Sequence, residues 1–485
     1  MKLNISFKDF KKNHLYKKNQ VIYVKRKCDD YKKVENLFRL LLVKKNSFIF
    51  ESVEKGVIKG RYTIIGLEPD KIWDISKNIV TTHFRGKKKK IKTDPLIFLN
   101  KLISDFNIKI PKNIPSMSSM LVGYFSYDVI RYLEKIPDNC IDDLNIPDVR
   151  LSRPANLIIY DNLKKNIYYV ENIYSDKKIN NYFEYYHSIK QKFENYEGFE
   201  NVKVPEVFTF KKNKNRIKSN ISKNRFKSNV KKAKKYIESG DVFQVVLSQR
   251  FERKFEKKPL EIYNYLRKSN PSPFMFYFNY EDFKILGSSP EILVRLRKKQ
   301  VTIRPIAGTR PRGINKKQDL KYEKELLKDK KELSEHLMLL DLGRNDVGKV
   351  SKINSVKVSE SFKVEKYSHV MHIVSNVIGE YDEQNSMFET LLSGFPAGTV
   401  SGAPKIRAME IIDQLEKNKR KLYAGGIGYF TPNKEFDTCI ALRTALIKNN
   451  KFYVQSGAGI VADSNPEKEF QETINKAKAL MKAID

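Results

Sequence analysis

A chain of 485 residues with 93 Lys and Arg against 57 Asp and Glu carries a formal charge of +36, yet it is 40% apolar and 12% aromatic. That composition supplies a sizeable core and excludes a disordered polycation, and about 150 residues per domain suggests two or three domains. The lysines run through every segment instead of concentrating on one element, and no run of about 18 apolar residues is present to span a bilayer, so neither a nucleic-acid nor a membrane partner is expected.

The start, Met1 to His14, lacks the apolar stretch of a signal peptide, and Cys28, Cys140 and Cys439 form no C-x-x-C pair. A cytoplasmic protein with packing cysteines is expected. From Val21 to about Tyr169, short β-rich stretches such as Ser47–Ser52 and Tyr62–Gly66 alternate with Gly, Pro and Asp, which predicts a strand-rich amino-terminal region. Lys211 to Lys235 is basic and apolar-poor at first, then reads as a helix ending before Gly240, with a domain boundary near Asn215. Beyond it, strand and helix patterns mix without the regular alternation of a doubly wound sheet, so the class is α+β.

Two motifs on one helical stretch are set aside. Glu332-Leu-Ser-Glu-His336 has a Glu where a helical zinc motif needs its first His. Gly343 to Lys349 matches the opening of a phosphate-binding loop, but Val350 lacks the required hydroxyl and the preceding pattern is helical where the motif needs a strand.

Near the end, Tyr423–Phe430, Asp437–Ile447 and Phe452–Val461 read as an antiparallel meander. Strand alternation over Asp437–Ala445 places Cys439, Ala441, Arg443 and Ala445 on one face, leaving room either for a ligand carboxylate on the guanidinium or for a pairing with a nearby acid. The glycines of Gln455-Ser-Gly-Ala-Gly459 indicate a bulge or a close backbone approach. In the closing helix Phe470, Ile474, Ala477, Met481 and Ile484 form an apolar stripe with Glu472 roughly opposite, and Glu335 stands likewise to Leu333, Leu337 and Leu340. Such acids are either solvated surface or a pair that holds a divalent cation.

The segments SSPEILVR, RPIAGTRPRG, KELSEHLMLLDLGRNDVGKVS, YSHVMHIV, GTVSGAPKIRAMEII, YAGGIGYF and QSGAGIVADSNPEKEFQET follow one another between Ser288 and Thr473. Together they resemble the chorismate-binding domain of the chorismate-utilising enzymes, over most of Phe226 to Ile484. The resemblance implies mixed, largely antiparallel sheets with flanking helices, as in anthranilate synthase large subunits. It implies Mg²⁺ on Glu335 and Glu472, with Tyr423, Arg443, Gly457, Ala458 and Gly459 around the enolpyruvyl carboxylate of chorismate. Gly308 and Thr309 match its substrate-binding Gly-Thr, and His372 matches a histidine of pyruvate elimination, so that Thr309 and His372 are the expected catalytic pair.

Within the family, Ala307 stands where aminodeoxychorismate synthases, the alternative assignment, carry a nucleophilic lysine. Gln244 stands where isochorismate and salicylate synthases carry a water-activating lysine. Both departures point to the anthranilate synthase branch, with ammonia adding at C2 before pyruvate leaves. No cysteine context resembles a glutamine amidotransferase elbow, so the resemblance implies a separate amidotransferase subunit that delivers ammonia, in a hetero-tetramer. Phe50-Glu51-Ser52, Gly60–Thr63 and Pro271–Met275 resemble the family's tryptophan-inhibition site, carried here by Ser52, Pro273, Phe274 and Met275, with Phe48 and Phe50 in place of leucines. The expected organisation is a regulatory region over residues 15–190, a basic connector over 191–221 and a catalytic domain over 222–485.

Overall fold

The computed structural model describes residues 1–54, 58–202, 204, 215–367 and 370–484. Among them, 22 strands join by antiparallel pairing into one continuous sheet, with eleven α-helices packed around it. The α+β expectation holds.

Much of this sheet is buried on both faces, and the sequence shows why. In Phe48-Ile49-Phe50, Phe48 and Phe50 enter one core while Ile49 enters the other. Phe276 and Phe278 share the first core, and Met275 and Tyr277 the second. Strand geometry sends successive side chains to opposite faces, so a sheet covered on both sides needs unbroken apolar runs. Helix Tyr31–Leu41 covers one face through Val34, Leu37, Phe38 and Leu41, a helical spacing on one side of the element.

Both cores draw residues from the amino-terminal and carboxy-terminal parts of the chain. Strand Ser47–Glu51 pairs with Phe274–Asn279, and Leu121–Phe125 pairs with Gly426–Thr431. Helix Tyr182–Glu200 runs across residue 190, and residue 203 and residues 205–214 of the basic connector lie outside the described residues. Helix Lys223–Glu238 follows, capped by the Ser222 side chain, as the sequence pattern predicts.

The expected meander resolves into two hairpins. Gly426–Thr431 pairs with Glu435–Ile440, and Thr444–Lys448 with Lys451–Ile460, but the hairpins join through different neighbours. Glu435–Ile440 lies beside Ile292–Arg297, whereas Thr444–Lys448 lies beside Lys284–Ser289. Gly343 to Lys349 falls in the last turns and C-cap of helix Lys330–Gly348, with Asp346 bound to Lys405 at 2.8 Å, so it is no phosphate loop. His336 is buried and bonded through Nε2 to Ser375 Oγ at 2.7 Å, a core histidine.

The loop between helix Lys405–Leu415 and the first hairpin is pinned to the amino-terminal part by buried charge. Lys421, 3% exposed, contacts Asp148 at 2.7 Å and Asp142 at 3.0 Å, and its backbone N–H donates to Asp128 at 2.9 Å. Lys421→Met leaves those acids without their cation and should cost about 3 kcal/mol of unfolding free energy. Urea denaturation monitored by circular dichroism measures it; a midpoint equal to the wild type contradicts this account of the joint.

Candidate active site

The site begins at two matched interruptions in neighbouring strands. Pro290 lacks the N–H that a ladder needs, and the chain leaves one strand at Ser289 and resumes at Ile292. Opposite it the chain leaves Glu435–Ile440 and resumes at Thr444, with Arg443 in a left-handed conformation at φ +47°. The expected alternation through Arg443 is therefore incorrect: Ala441 to Arg443 cross from one strand neighbour to another instead of continuing a face. Their backbone is still used, since Ile440 N–H donates to Glu291 O at 3.1 Å and Ser288 N–H to Arg443 O at 3.1 Å.

Each interruption presents a charge-bearing side chain. Glu291 is 5% exposed, and burial pushes its carboxyl up to about 8. Hydrogen bonds from Thr399 Oγ1, at 3.1 Å, and the Ile306 backbone oppose that shift, as does the charge of Arg443. The group is an acid that keeps its proton at neutral pH. The Arg443 guanidinium has no hydrogen-bond or ion-pair partner among the described residues, and burial lowers its pKa while Tyr367 and Glu291 oppose. The cation is available for a ligand anion.

A bulge carries the next pair. Strand Ile306–Pro311 shifts register against Val370–Glu380 between Ala307 and Arg310, with Gly308 at φ +65°. A side chain on Gly308 would also meet Glu332 Oε2 at 3.2 Å. His372 Nδ1 lies 2.9 Å from Gly308 O and 3.1 Å from Thr309 Oγ1. A carbonyl only accepts, so Nδ1 carries the proton and Nε2 the lone pair. Burial lowers this imidazole to about 4, with Arg443 and Lys476 adding to the effect. It is a neutral base, and its two partners are the residues expected beside it.

Glu335 and Glu472 come from the early turns of helices Lys330–Gly348 and Pro466–Lys482. Glu335 is half-buried and accepts from Gln244 Nε2 at 3.0 Å. Burial raises its pKa, Gln244 and Lys476 oppose, and the charges of Glu332 and Glu472 add to it. Glu472 is exposed and pairs with Lys476 at 2.7 Å. Among the described residues no cluster of three or more His, Cys, Asp or Glu is arranged for a metal. Two neighbouring carboxylates nonetheless fit Mg²⁺, which commonly takes one or two protein carboxylates and fills its shell with water and substrate oxygens.

The glycines beside them are required by close approach. A Cβ on Gly457 would sit 2.7 Å from Tyr423 Oη, and one on Gly459 would sit 2.6 Å from Gln244 Nε2. Lys476 donates to Gly457 O at 3.1 Å. Strand Thr444–Lys448 covers Lys451–Ile460 only as far as Val454, so the backbone from Gln455 to Ile460, with Ala458, has a strand partner on one side alone. Tyr423 is buried, and burial raises its hydroxyl to about 12, with Arg420 opposing and Glu416 and Glu472 adding to it.

The structure thus brings together nine expected residues: Gly308, Thr309, Glu335, His372, Tyr423, Arg443, Gly457, Gly459 and Glu472. Lys476 acts on both His372 and Glu335, which joins the two halves. Ser52, Pro273, Phe274 and Met275 lie elsewhere, where Met275 pairs with Glu51. Sequence reasoning missed Glu291, Thr399 and Lys476. An acid directly after a proline inside an apolar strand pair is the signal that marks Glu291.

The family model for chorismate binding enzymes matches residues 50–482, and the chain belongs to this family of chorismate-utilising enzymes. Within it, the chain is 44% identical over 486 residues to anthranilate synthase component 1 of Cereibacter sphaeroides, covering 99% of this chain and 97% of that one. It is 43% identical to anthranilate synthase component 1 of Aquifex aeolicus, over 92% and 91% of the two chains. The crystal structure of anthranilate synthase component I from Streptococcus pneumoniae superposes with a TM-score of 0.77 at 35% identity, covering 87% of this chain and 92% of that one. The menaquinone-specific isochorismate synthase of Escherichia coli shares the fold at a TM-score of 0.73 and 19% identity, covering 96% and 95%.

The hydrogen bonding at His372 makes a direct prediction. Long-range ¹H–¹⁵N spectra should show the Nδ1–H tautomer with no titration of this ring between pH 5.5 and 8, because its pKa lies at about 4. A midpoint near 6.5 would contradict the assignment.

Proposed function

We propose that the chain is the chorismate-aminating component of an anthranilate synthase, using Mg²⁺ and ammonia to convert chorismate to anthranilate and pyruvate. The observation that carries this reading is the buried Glu291 beside the unpaired Arg443 guanidinium, in one site with a carboxylate pair and the buried His372. Similarity over nearly the full length to anthranilate synthase component 1 proteins supports the same reading.

Chorismate is a dianion. Arg443 and the Tyr423 hydroxyl bind its enolpyruvyl carboxylate, with the one-sided strand at Gly457, Ala458 and Gly459 supplying backbone contacts. Glu335 and Glu472 would hold Mg²⁺, which when bound supplies an electron sink at the ring carboxylate. Ammonia nitrogen forms a bond to C2, the ring double bonds shift, and the C4–O bond breaks as Glu291 gives its proton to the departing hydroxyl, releasing water. His372 Nε2 then takes the C2 proton, its electron pair makes the ring aromatic as the C3–O ether bond breaks, and the departing enolpyruvate takes a proton at its methylene carbon to become pyruvate. Gln244 donates to Glu335 and offers no base to activate water, and Ala307 offers no nucleophile to compete with ammonia.

Ammonia arrives from a second chain, a glutamine amidotransferase, as the name component 1 borne by the relatives suggests. The three cysteines are poor nucleophiles: burial raises the Cys28, Cys140 and Cys439 thiols. Tryptophan is the proposed inhibitor, bound around Ser52, Pro273, Phe274 and Met275. Support comes from the pairing of Met275 with Glu51, the chain neighbour of Ser52. The hetero-tetramer and the cytoplasmic location extend the same reading; among the described residues no helix is long and apolar enough to cross a membrane.

Incubation of the chain with chorismate, Mg²⁺ and ammonium should give anthranilate fluorescence, suppressed by tryptophan, with glutamine effective only when an amidotransferase subunit is added. Aminodeoxychorismate or isochorismate as the main product would overturn the reading.

Activity should also fall as pH rises through about 8, where Glu291 loses its proton. Glu291→Gln should lower turnover by about 10²- to 10⁴-fold and remove that limb. Near-wild-type turnover of this variant would sink the acid role.

A further inference from the structure

Arg420 is the largest side chain buried at under 2% exposure, and its charge is surrounded by protein on all sides. Its Nε and Nη2 donate to the two oxygens of Glu416 at 2.9 and 2.6 Å, a two-pronged ion pair. Nη2 also donates to Val246 O at 2.6 Å, and Nη1 to Val400 O at 2.7 Å. The planar group stacks at 4.9 Å from the Tyr127 ring and 5.5 Å from the Tyr423 ring. Glu416 is equally committed, because its Oε1 accepts from Ser248 N–H at 2.8 Å and Ser248 Oγ at 2.9 Å.

Each contact leads one or two residues further to a member of the site. Val246 lies two positions along the strand from Gln244, whose amide holds Glu335 and packs against Gly459. Val400 adjoins Thr399, whose hydroxyl bonds Glu291. Tyr423 is itself a candidate ligand-binding residue, with its hydroxyl against Gly457. Glu335 of the carboxylate pair, the acid Glu291 and Tyr423 therefore all connect to one guanidinium.

A buried ion pair is a poor means of stabilising a fold, since apolar residues of similar volume do so as well or better. A rigid fork with donors in fixed directions does what apolar packing cannot: it ties the backbones at Val246 and Val400 to its own loop at set distances. Lysine, a single ammonium on a flexible stem, cannot reproduce these contacts.

We propose that Arg420, locked by Glu416, is a positioning residue that sets the spacing between the Gln244 strand, the Thr399 turn and Tyr423. The inference rests on the proposed reaction at this site, and it adds a residue that touches no substrate yet governs those that do.

The test uses the full chain as wild type, Arg420→Lys and Glu416→Gln, each assayed for anthranilate formation from chorismate, Mg²⁺ and ammonium across pH and each unfolded in urea. Arg420→Lys should unfold cooperatively, raise the chorismate KM by roughly tenfold or more, and move the alkaline limb away from about pH 8, because the turn that bonds Glu291 is no longer held. Glu416→Gln should shift both in the same direction by less. Cooperative unfolding with unchanged KM and unchanged pH profile in both variants overturns the proposal, and so does loss of cooperative unfolding in both, which would assign the pair to the fold alone. A wild type that forms no anthranilate overturns the reading of the reaction and the inference with it, whereas an active wild type matched by both variants overturns the inference only.

Discussion

The paired interruptions at Pro290–Glu291 and Ala441–Arg443 are the constraint from which the site follows. Without them Lys284–Arg297 and Glu435–Lys448 would run as two continuous strands, and an ionisable group buried there without a partner would be costly. Proline removes one ladder donor, the facing chain must change partners, and Arg443 takes a left-handed conformation at a cost of about 1 to 3 kcal/mol. The gain is a polar opening inside the sheet. The same change of partners leaves Gln455–Ile460 without a strand on one side.

Burial then sets the charge state of that opening. It raises Glu291, lowers His372 and lowers Arg443, in every case favouring the neutral form. The acid and the base yield, whereas the guanidinium remains charged. The result is a proton donor, a proton acceptor and an uncompensated cation within one low-dielectric space. In the proposed reaction a dianionic ligand would supply the missing negative charge, and the half-buried Glu335 with its neighbour Glu472 would hold the divalent cation. Fixed groups of this kind act on developing charge without reorganising at the moment of reaction.

The amino-terminal part is structurally continuous with this site. It shares two strand pairings and two cores with the rest, and Asp128, Asp142 and Asp148 grip the loop that carries Lys421, Arg420 and Tyr423. The high positive charge belongs mostly to solvated surface. Lys87–Lys92, exposed along its whole length, shows one physical use: five lysines on an outlying strand discourage pairing with another chain.

The amino-acid sequence by itself determined the α+β class, the helices at Lys223–Glu238 and Pro466–Lys482, and the helical setting that rules out a phosphate loop at Gly343–Lys349. These depend on local periodicity, capping and the identity of single residues, which short windows contain. Motif order also pointed to Glu335, His372 and Arg443, although pattern alone left both acids as solvent-facing. Tertiary structure alone decided the rest. The strand alternation assumed through Arg443 fails because a change of strand partner is a long-range event that periodicity cannot register. Glu291 became an acid that holds its proton only when the surrounding core enclosed it, against the opposing hydrogen bonds of Thr399 and Ile306, and Arg420 became a joint only when the carbonyls of Val246 and Val400 met at its guanidinium. Desolvation and convergence are properties of the folded whole, and no window of sequence carries them.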